Sequence, residues 1–186
     1  MTGRDEEAEN GLDLLEGDEG ELRVGRGRDV GREIMQTPIS EVKRAAAVTV
    51  PPDATVAKAL DLMRKKRVSA VVVVERRRAR RLVGIFTERD LVDRALPARG
   101  FARAPVTRFM TPAPETLRPE DPVAYALNKM SVGRFRHVPL VDDAGRPAGI
   151  ISIRDIADFI VELCPEEVLN LPPEPELAMH PRTDGE

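Results

Sequence analysis

An internal repeat constrains this 186-residue chain more than any other feature of its sequence. The recurring positions of the first copy include Pro38, Thr49, Val56, Met63 and Arg67, and their counterparts 67 positions later are Pro105, Thr116, Val123, Met130 and Arg134. Towards the end of each copy the separation falls to 65, which pairs Gly84 with Gly149 and Asp90 with Asp155. The two extra residues fall within 76–81, where a hairpin loop is expected, and loops tolerate insertions. The chain is therefore expected to fold as two copies of one unit.

Each copy shows the same predicted order of elements, β-α-β-β-α. The predicted strands are short apolar runs: Val48–Val50, Ala70–Val74 and Leu82–Phe86 in the first copy, and Glu115–Leu117, His137–Val141 and Ala148–Ser152 in the second. Apolar residues at helical spacing predict one helix after the first strand of each copy, and Asp53 and Glu120 are expected to cap these helices. The last helices are predicted at Glu88–Leu96 and Arg154–Leu163. The fold class is therefore α/β (α+β): two tandem repeats packed as one pseudo-two-fold module, with helices outside two sheets.

Charge and proline content divide the chain into a body and two tails. Residues 1–30 are acidic and poor in large apolar side chains, so we expect them to be disordered. The first repeat extends over 34–97 and the second over 105–164. The acidic, proline-rich segment 165–186 is expected to form an extended tail whose first apolar residues can pack back on the body: Val168, Leu169 and Leu171. Residues 23–164 carry a net charge of +10, which favours an anionic ligand or partner.

Several classes of function find no support in the sequence. Cys164 is the only cysteine, so no internal disulfide forms, and no His/Cys cluster has the spacing of a metal site. No nucleophile with a partner base and no P-loop sequence is present, so we expect no catalytic residues and no enzyme. The N-terminus lacks an apolar signal core, and no apolar run approaches the ~20 residues of a membrane span. The expected location is cytoplasmic, without a membrane partner.

Three motifs in a fixed order carry a resemblance to a known family. They are Pro-x-x-x-Val-x-x-Ala-Leu-x-x-Met, beginning at Pro52 and Pro119, the strand His137–Asp142, and Gly-x-x-Thr/Ser-x-x-Asp, beginning at Gly84 and Gly149. Over about residues 34–164 the chain resembles the CBS domain family, named for cystathionine beta-synthase. The first copy departs from the family pattern, because it lacks the usual proline in its central strand and carries an arginine-rich loop in place of an Asp/Gly turn.

This resemblance implies a regulatory function. The two repeats would pair into one module, two modules would form a homodimer, and an adenosine derivative would bind between the repeats. The implied regulatory ligands are AMP, ADP, ATP and S-adenosylmethionine, with no obligatory cofactor. Because no catalytic or transport domain is recognised, the regulated protein is expected to be a separate, unknown partner.

Thr87 and Asp90 form the first candidate ligand site. Thr87 stands at a predicted helix start, where backbone N–H groups favour a phosphate, and the Asp90 carboxylate suits the two hydroxyls of a ribose. Ser152 and Asp155 repeat this arrangement in the second copy. The same residue types also form a capping box, in which the Asp only bonds the backbone of the cap residue. The sequence leaves this purely structural role open.

The resemblance pairs the Asp of one repeat with the early strands of the other. The first predicted cleft contains Thr87, Asp90, Thr116, Leu117, Arg136 and His137. The second predicted cleft contains Ser152, Asp155, Thr49, Val50, Ser69 and Ala70. We expect the first to be the better phosphate site, because Arg136 and His137 supply charge that Ser69 and Ala70 lack. A core role for His137 is the alternative.

Two other functions stay open at this point. The repeats can serve as a ligand-free dimerisation or scaffold module that docks a partner protein. Alternatively, the five arginines of Arg76–Arg81 can dock an acidic or phosphorylated partner, or stay solvated in an exposed hairpin loop. Nucleic-acid binding is not expected, because the stacking aromatic residues of single-strand binders are missing.

Overall fold

The computed structural model describes residues 29–76, 80–169 and 171. The helices are α1 (Val30–Gln36), α2 (Val56–Lys66), α3 (Glu88–Asp90), α4 (Val123–Gly133), α5 (Ile153–Leu163) and α6 (Pro165–Leu169). The strands are β1 (Thr49–Val50), β2 (Ala70–Val74), β3 (Leu82–Thr87), β4 (Thr111–Pro112), β5 (His137–Val141) and β6 (Pro147–Ser152). A π turn over Leu91–Ala95 continues α3, and single turns of 3-10 helix cover Ile39–Glu41, Phe101–Arg103 and Val106–Arg108.

The strands form two sheets, one for each repeat. β2 pairs parallel with β1 and antiparallel with β3, and β4 joins the far side of β3. In the second repeat β5 pairs antiparallel with β6. The alternation of helices and strands confirms the predicted mixed fold of two repeats.

The opening strand of the second repeat is shorter than predicted. Of the predicted strand Glu115–Leu117, only Leu117 pairs, in an isolated parallel bridge to Leu140. In the first repeat the N–H of Val72 donates to the carbonyl of Val48 at 2.8 Å. The residue equivalent to Val72 is Pro139, which has no N–H to donate. The second copy therefore lacks one ladder bond of the first.

The leading segment of each repeat, which precedes its first strand, packs against the other repeat. Pro38 bridges to Pro122 in the second repeat, and Pro105 bridges to Thr55 in the first. The N–H of Ile39 donates to the carbonyl of Asp121 at 2.9 Å, and the equivalent bond runs from Val106 to Ala54 at 2.7 Å. The leading segment of each repeat is therefore hydrogen-bonded to the other repeat.

The exchange continues into the hydrophobic cores. Val106 and Phe109 pack with the first-repeat core, whereas Ile39 and Val42 pack with the second. The strand β2 lies at the centre and is buried on both faces. Alternate residues of a strand point to opposite faces. Val71 and Val73 accordingly face the first core, and Ala70, Val72 and Val74 pack in a third cluster with Ile85 and with Ile150 of the second repeat.

The predicted caps of the first helices are wrong. Thr55 caps α2 by accepting the N–H of Lys58 at 3.3 Å, because Asp53 lies two residues before the cap position. Asp53 instead accepts two hydrogen bonds from Arg76, at 2.7 and 2.6 Å. Pro122 is the N-cap of α4 and has no side-chain acceptor, so Glu120 does not cap that helix either.

The described part of the chain begins at residue 29 and ends at residue 171. Apart from residues 29 and 30, the predicted N-terminal tail lies outside the described residues, as do Arg77–Ala79 of the arginine-rich loop and residues 170 and 172–186 of the predicted C-terminal tail. Where the extended C-terminal tail was expected to begin, the chain forms the short helix α6. Leu169 and Leu171 are more than 60% exposed and do not pack on the body. No helix in this described part of the chain has the length and apolarity of a membrane span.

Candidate functional site

A cavity of about 410 Å³ lies between the start of α3 and the start of β5. Four of the six residues predicted for the first cleft line it: Thr87, Asp90, Arg136 and His137. Thr116 and Leu117 do not line it. Leu117 is buried in the second core and bonds to β5, so the chain just before it forms the cavity wall instead, from Thr111 to Glu115.

Thr87 and Asp90 form a complete capping box. The Asp90 Oδ2 atom accepts the backbone N–H of Thr87 at 2.9 Å and its hydroxyl at 2.8 Å, and Thr87 Oγ1 accepts the N–H of Asp90 at 3.3 Å. The N–H of Glu88 donates to the carbonyl of Ser69. Three of the first four N–H groups are therefore already bonded within the protein. The start of α3 therefore offers few free N–H groups for an anion, and the positively charged side chains of the cavity are the better match for one.

The second carboxylate oxygen of Asp90 faces a different group of atoms. Arg94 Nη1 lies 3.1 Å from Asp90 Oδ1, and the Thr111 hydroxyl donates to the same oxygen at 3.3 Å. Asp90 is 6% exposed and is the one buried charged residue in the described part of the chain. Burial of an unpaired charge is costly, so these partners stabilise the carboxylate.

The opposite wall of the cavity comes from the segment between α4 and β5. Arg134 ends α4 in the left-handed conformation, with φ 54°, and turns the chain so that Phe135 and Arg136 reach the cavity. Within residues 29–76, 80–169 and 171, the guanidinium groups of Arg134 and Arg136 have no carboxylate within salt-bridge distance. This wall therefore presents positive charge to the cavity.

His137, in the same wall, forms a hydrogen bond between the two repeats. Its Nε2 atom lies 2.7 Å from the Ser69 hydroxyl of the first repeat. Burial lowers the pKa of His137, and the nearby charge of Arg136 lowers it further, while Asp155 acts in the opposite direction. Both of the first two effects favour the neutral imidazole, which is the hydrogen-bonding partner of Ser69.

The second predicted cleft is also only partly assembled. Ser69, Ala70, Ser152 and Asp155 line a cavity of about 290 Å³, together with Arg67 and Arg154. Thr49 and Val50 do not line it, since Val50 is buried in the first core. Ser152 and Asp155 form the same capping box as Thr87 and Asp90. An adjoining groove of about 560 Å³ shares Asp155 with this cavity.

The two cavities have one wall in common. Ser69, Glu88, Arg136 and His137 line both of them. Arg136 and His137 were predicted for the first cleft alone, and Ser69 for the second alone. His137 lies 68 positions after Ser69 in the sequence, and the hydrogen bond between them brings the two residues together.

The sequence-based prediction missed several residues that line the first cavity, among them Arg94, Thr111, Glu115, Arg134 and Phe135. A comparison of the two copies carries a signal for three of them. Phe159 stands at the position of Arg94, Arg44 at that of Thr111, and Val68 at that of Phe135. Such differences between otherwise similar copies mark positions where the two cavities differ chemically. No group of metal-ligating residues occurs in the described ranges.

Comparison with known proteins identifies the repeated unit. The family model for the CBS domain matches residues 30–96 and 106–162. A 17.7 kDa protein of Acidianus ambivalens is 32% identical over 129 residues, which cover 69% of this chain and 76% of that protein. Two further curated relatives are much longer, and the matched region spans 26% and 21% of their lengths.

Two solved structures are similar to the body and contain ligands. One is the CBS domain protein PAE2072 of Pyrobaculum aerophilum complexed with AMP, with a TM-score of 0.62 and 30% identity over 69% of this chain and 99% of that chain. The other is the CBS domain pair of protein MJ0100 in complex with 5'-methylthioadenosine and S-adenosyl-L-methionine. Its TM-score is 0.61, with 25% identity over 68% of this chain and 97% of that chain. The two matched segments coincide with the two repeats, and the chain therefore belongs to the CBS domain family as a tandem pair of these domains.

Proposed function

We propose that this protein is a regulatory module that binds an adenosine derivative in the 410 Å³ cavity between its repeats. The single observation behind the proposal is that one cavity holds Thr87 and Asp90 of the first repeat opposite Arg136 and His137 of the second. A carboxylate suits ribose hydroxyls, and a guanidinium suits a phosphate. Similar domain pairs bind AMP in one structure and S-adenosylmethionine in another.

The position of the cavity supports a signalling role for this ligand. A ligand that contacts Asp90 and Arg136 touches both repeats at once. It stabilises the arrangement of the repeats that brings both walls to the right distance, and it thereby shifts the population of arrangements. A separate protein partner that binds one arrangement better responds to the ligand. We propose no catalytic step, and the cytoplasmic location stays a prediction of the sequence.

A thermal-shift screen of the full chain tests ligand binding. AMP, ADP, ATP and S-adenosylmethionine are each added to protein that has been freed of co-purified nucleotide. A ligand at about 100 times its dissociation constant adds about 2.7 kcal/mol of stability, which corresponds to roughly 5 °C or more for a chain of this size. Asp90→Asn should remove the shift. The matched control is Asp93→Asn, which changes an exposed carboxyl of the same helical segment.

The second candidate function is a ligand-free scaffold. The completed capping boxes favour it, because Asp90 and Asp155 each have a structural task without any ligand. Val92 and Leu96 are 59% and 52% exposed and supply an apolar surface on which a second copy can pack. We propose a homodimer under either function. Light scattering gives the mass in solution, and a dimer that shows no thermal shift with any of the four compounds favours the scaffold.

A further inference from the structure

Arg94 occupies the oxygen of Asp90 that a ribose would use. The other oxygen, Oδ2, is committed to the capping box. Oδ1 faces Arg94 Nη1 at 3.1 Å and the Thr111 hydroxyl at 3.3 Å. A sugar hydroxyl that donates to Asp90 must therefore compete with the guanidinium for the same atom.

The Arg94 side chain is placed so that it can change partners. It is 51% exposed, whereas the side chain of Asp90 is 8% exposed. Its Nη1 atom also donates to the carbonyl of Met110 at 3.2 Å and to Thr111 Oγ1 at 3.3 Å, and the residue lines the cavity. A rotation away from Asp90 carries the guanidinium into the cavity or into solvent without opening the core.

The second repeat lacks this competition. Phe159 stands at the position of Arg94, and Arg44 at that of Thr111. The Arg44 guanidinium donates to the carbonyls of Ile39 and Ser40. Asp155 accepts the backbone N–H and the hydroxyl of Ser152 at Oδ2. In the described part of the chain, its Oδ1 atom accepts no hydrogen bond.

The net charge of the first cavity determines which ligands can compensate for the loss of the ion pair between Asp90 and Arg94. Glu115 is paired with Lys129, and Asp90 with Arg94. The remaining cations, Arg89, Arg134 and Arg136, outnumber the remaining acid, Glu88. A ligand phosphate is attracted to this excess of positive charge, and an uncharged or cationic substituent is not.

We propose that Arg94 is a specificity-determining residue that makes this cavity selective for phosphate-bearing adenosine derivatives. The inference rests on the proposed function, because it assumes that a ribose binds Asp90. The ribose displaces Arg94 from Asp90, and the displaced guanidinium pairs with the phosphate in a charge-assisted contact. Adenosine breaks the ion pair without such a replacement, and S-adenosylmethionine brings a positive sulfonium to an already cationic wall.

Calorimetric titration of the full chain with AMP and with adenosine tests this role. We expect Arg94→Gln to bind AMP about tenfold more weakly, because a hydrogen bond between charged groups is lost. The same variant should bind adenosine about two- to fivefold more tightly, because Asp90 Oδ1 no longer has a competing ion pair. The preference for AMP over adenosine therefore falls more than tenfold. Arg94→Lys keeps the charge and should keep most of that preference.

The controls separate this role from a structural one. Arg64→Gln removes the same charge from the surface of α2, where the side chain is 81% exposed and contacts Asp61, and it should leave both affinities unchanged. If Arg94→Gln changes the two affinities by the same factor, Arg94 does not select the ligand and the inference is wrong, although AMP binding by the unchanged chain would still support the proposed function. If Arg94→Gln does not fold, loss of the AMP preference in a folded Arg94→Lys overturns the inference. Absence of binding by the unchanged chain rejects both.

Discussion

The Ser69 hydroxyl lies 2.7 Å from Nε2 of His137, and this contact joins the walls of the two cavities. Ser69 precedes β2 of the first repeat and His137 begins β5 of the second. Both residues line both cavities, as do Glu88 and Arg136. Two ligands bound at once would therefore approach the same small set of polar groups.

This shared wall predicts one tight ligand per chain. A first phosphate that pairs with Arg136 leaves less positive charge for a second, and two phosphates repel each other. Titration calorimetry with AMP should give a stoichiometry near one, with any second site roughly tenfold or more weaker, a difference of ~1.4 kcal/mol. Two equal and independent sites per chain would contradict the idea of a common wall.

The pKa of His137 predicts a loss of stability in mild acid. Burial and Arg136 lower the pKa in the folded protein below the ordinary value of 6.5. Between the folded and the unfolded pKa the unfolded chain binds more protons, so stability falls as the pH drops below about 6.5 and continues to fall through the folded pKa. Urea unfolding at pH 7.5 and pH 5.5 measures this difference.

His137→Gln supplies the comparison for the pH experiment. Glutamine keeps a hydrogen-bonding group near Ser69 but does not titrate. The decrease in unfolding free energy from pH 7.5 to pH 5.5 should be smaller in this variant than in the unchanged protein. Equal decreases would show that carboxyl groups, and not His137, set the acid sensitivity.

The exchange of leading segments predicts that Ile39 stabilises the second repeat. Its side chain is fully buried in the second core, although it precedes the first repeat in sequence. Ile39→Ala should reduce the unfolding free energy by about 2–5 kcal/mol, because it removes buried methyl groups and leaves a cavity. Met35→Ala, at a residue 63% exposed in the same leading segment, should have an effect within about 0.5 kcal/mol. Urea denaturation of both variants measures the effects, and a loss of less than about 1 kcal/mol in Ile39→Ala would mean that the contact is dispensable.

Gly84 is predicted to be required in β3, because the side chain of Met110 lies directly against it. A Cβ atom added at this position would overlap the side chain of Met110, its Sδ atom above all. Because the crowded atoms belong to a flexible side chain, Gly84→Ala should cost about 1–3 kcal/mol and should not prevent folding. In the double variant with Met110→Ala, part of that cost should be recovered. If the double variant shows the sum of the two single effects, the residues do not interact.

Local patterns predict some elements of this fold better than others. The short apolar runs predicted β2 and β5 with their observed limits. For β2 the reason is clear, because a run of buried valines has few alternatives to a central strand. The strand at Glu115–Leu117 was predicted too long, because its pairing depends on Pro139, which is distant in sequence. The swap of leading segments has no local signature, since it depends on which core Ile39 and Val106 reach.

The candidate site shows the same limit. The motif residues Thr87 and Asp90 could be chosen from sequence, because capping chemistry and ribose chemistry both require them at that spacing. Thr116 and Leu117 were chosen from an assumed strand, and the actual wall lies a few residues earlier. Arg94 has no counterpart of its kind in the second copy, where Phe159 stands, so the residues that the two copies share do not indicate it.

The reciprocal contribution of Val106 and Ile39 to the opposite cores has a consequence for how such chains can be divided. A fragment that ends at residue 97 lacks the side chains that close its own core, and a fragment that begins at residue 105 lacks those that close the other. Neither copy completes its own core, so two separately expressed halves should recover the fold only when they are mixed.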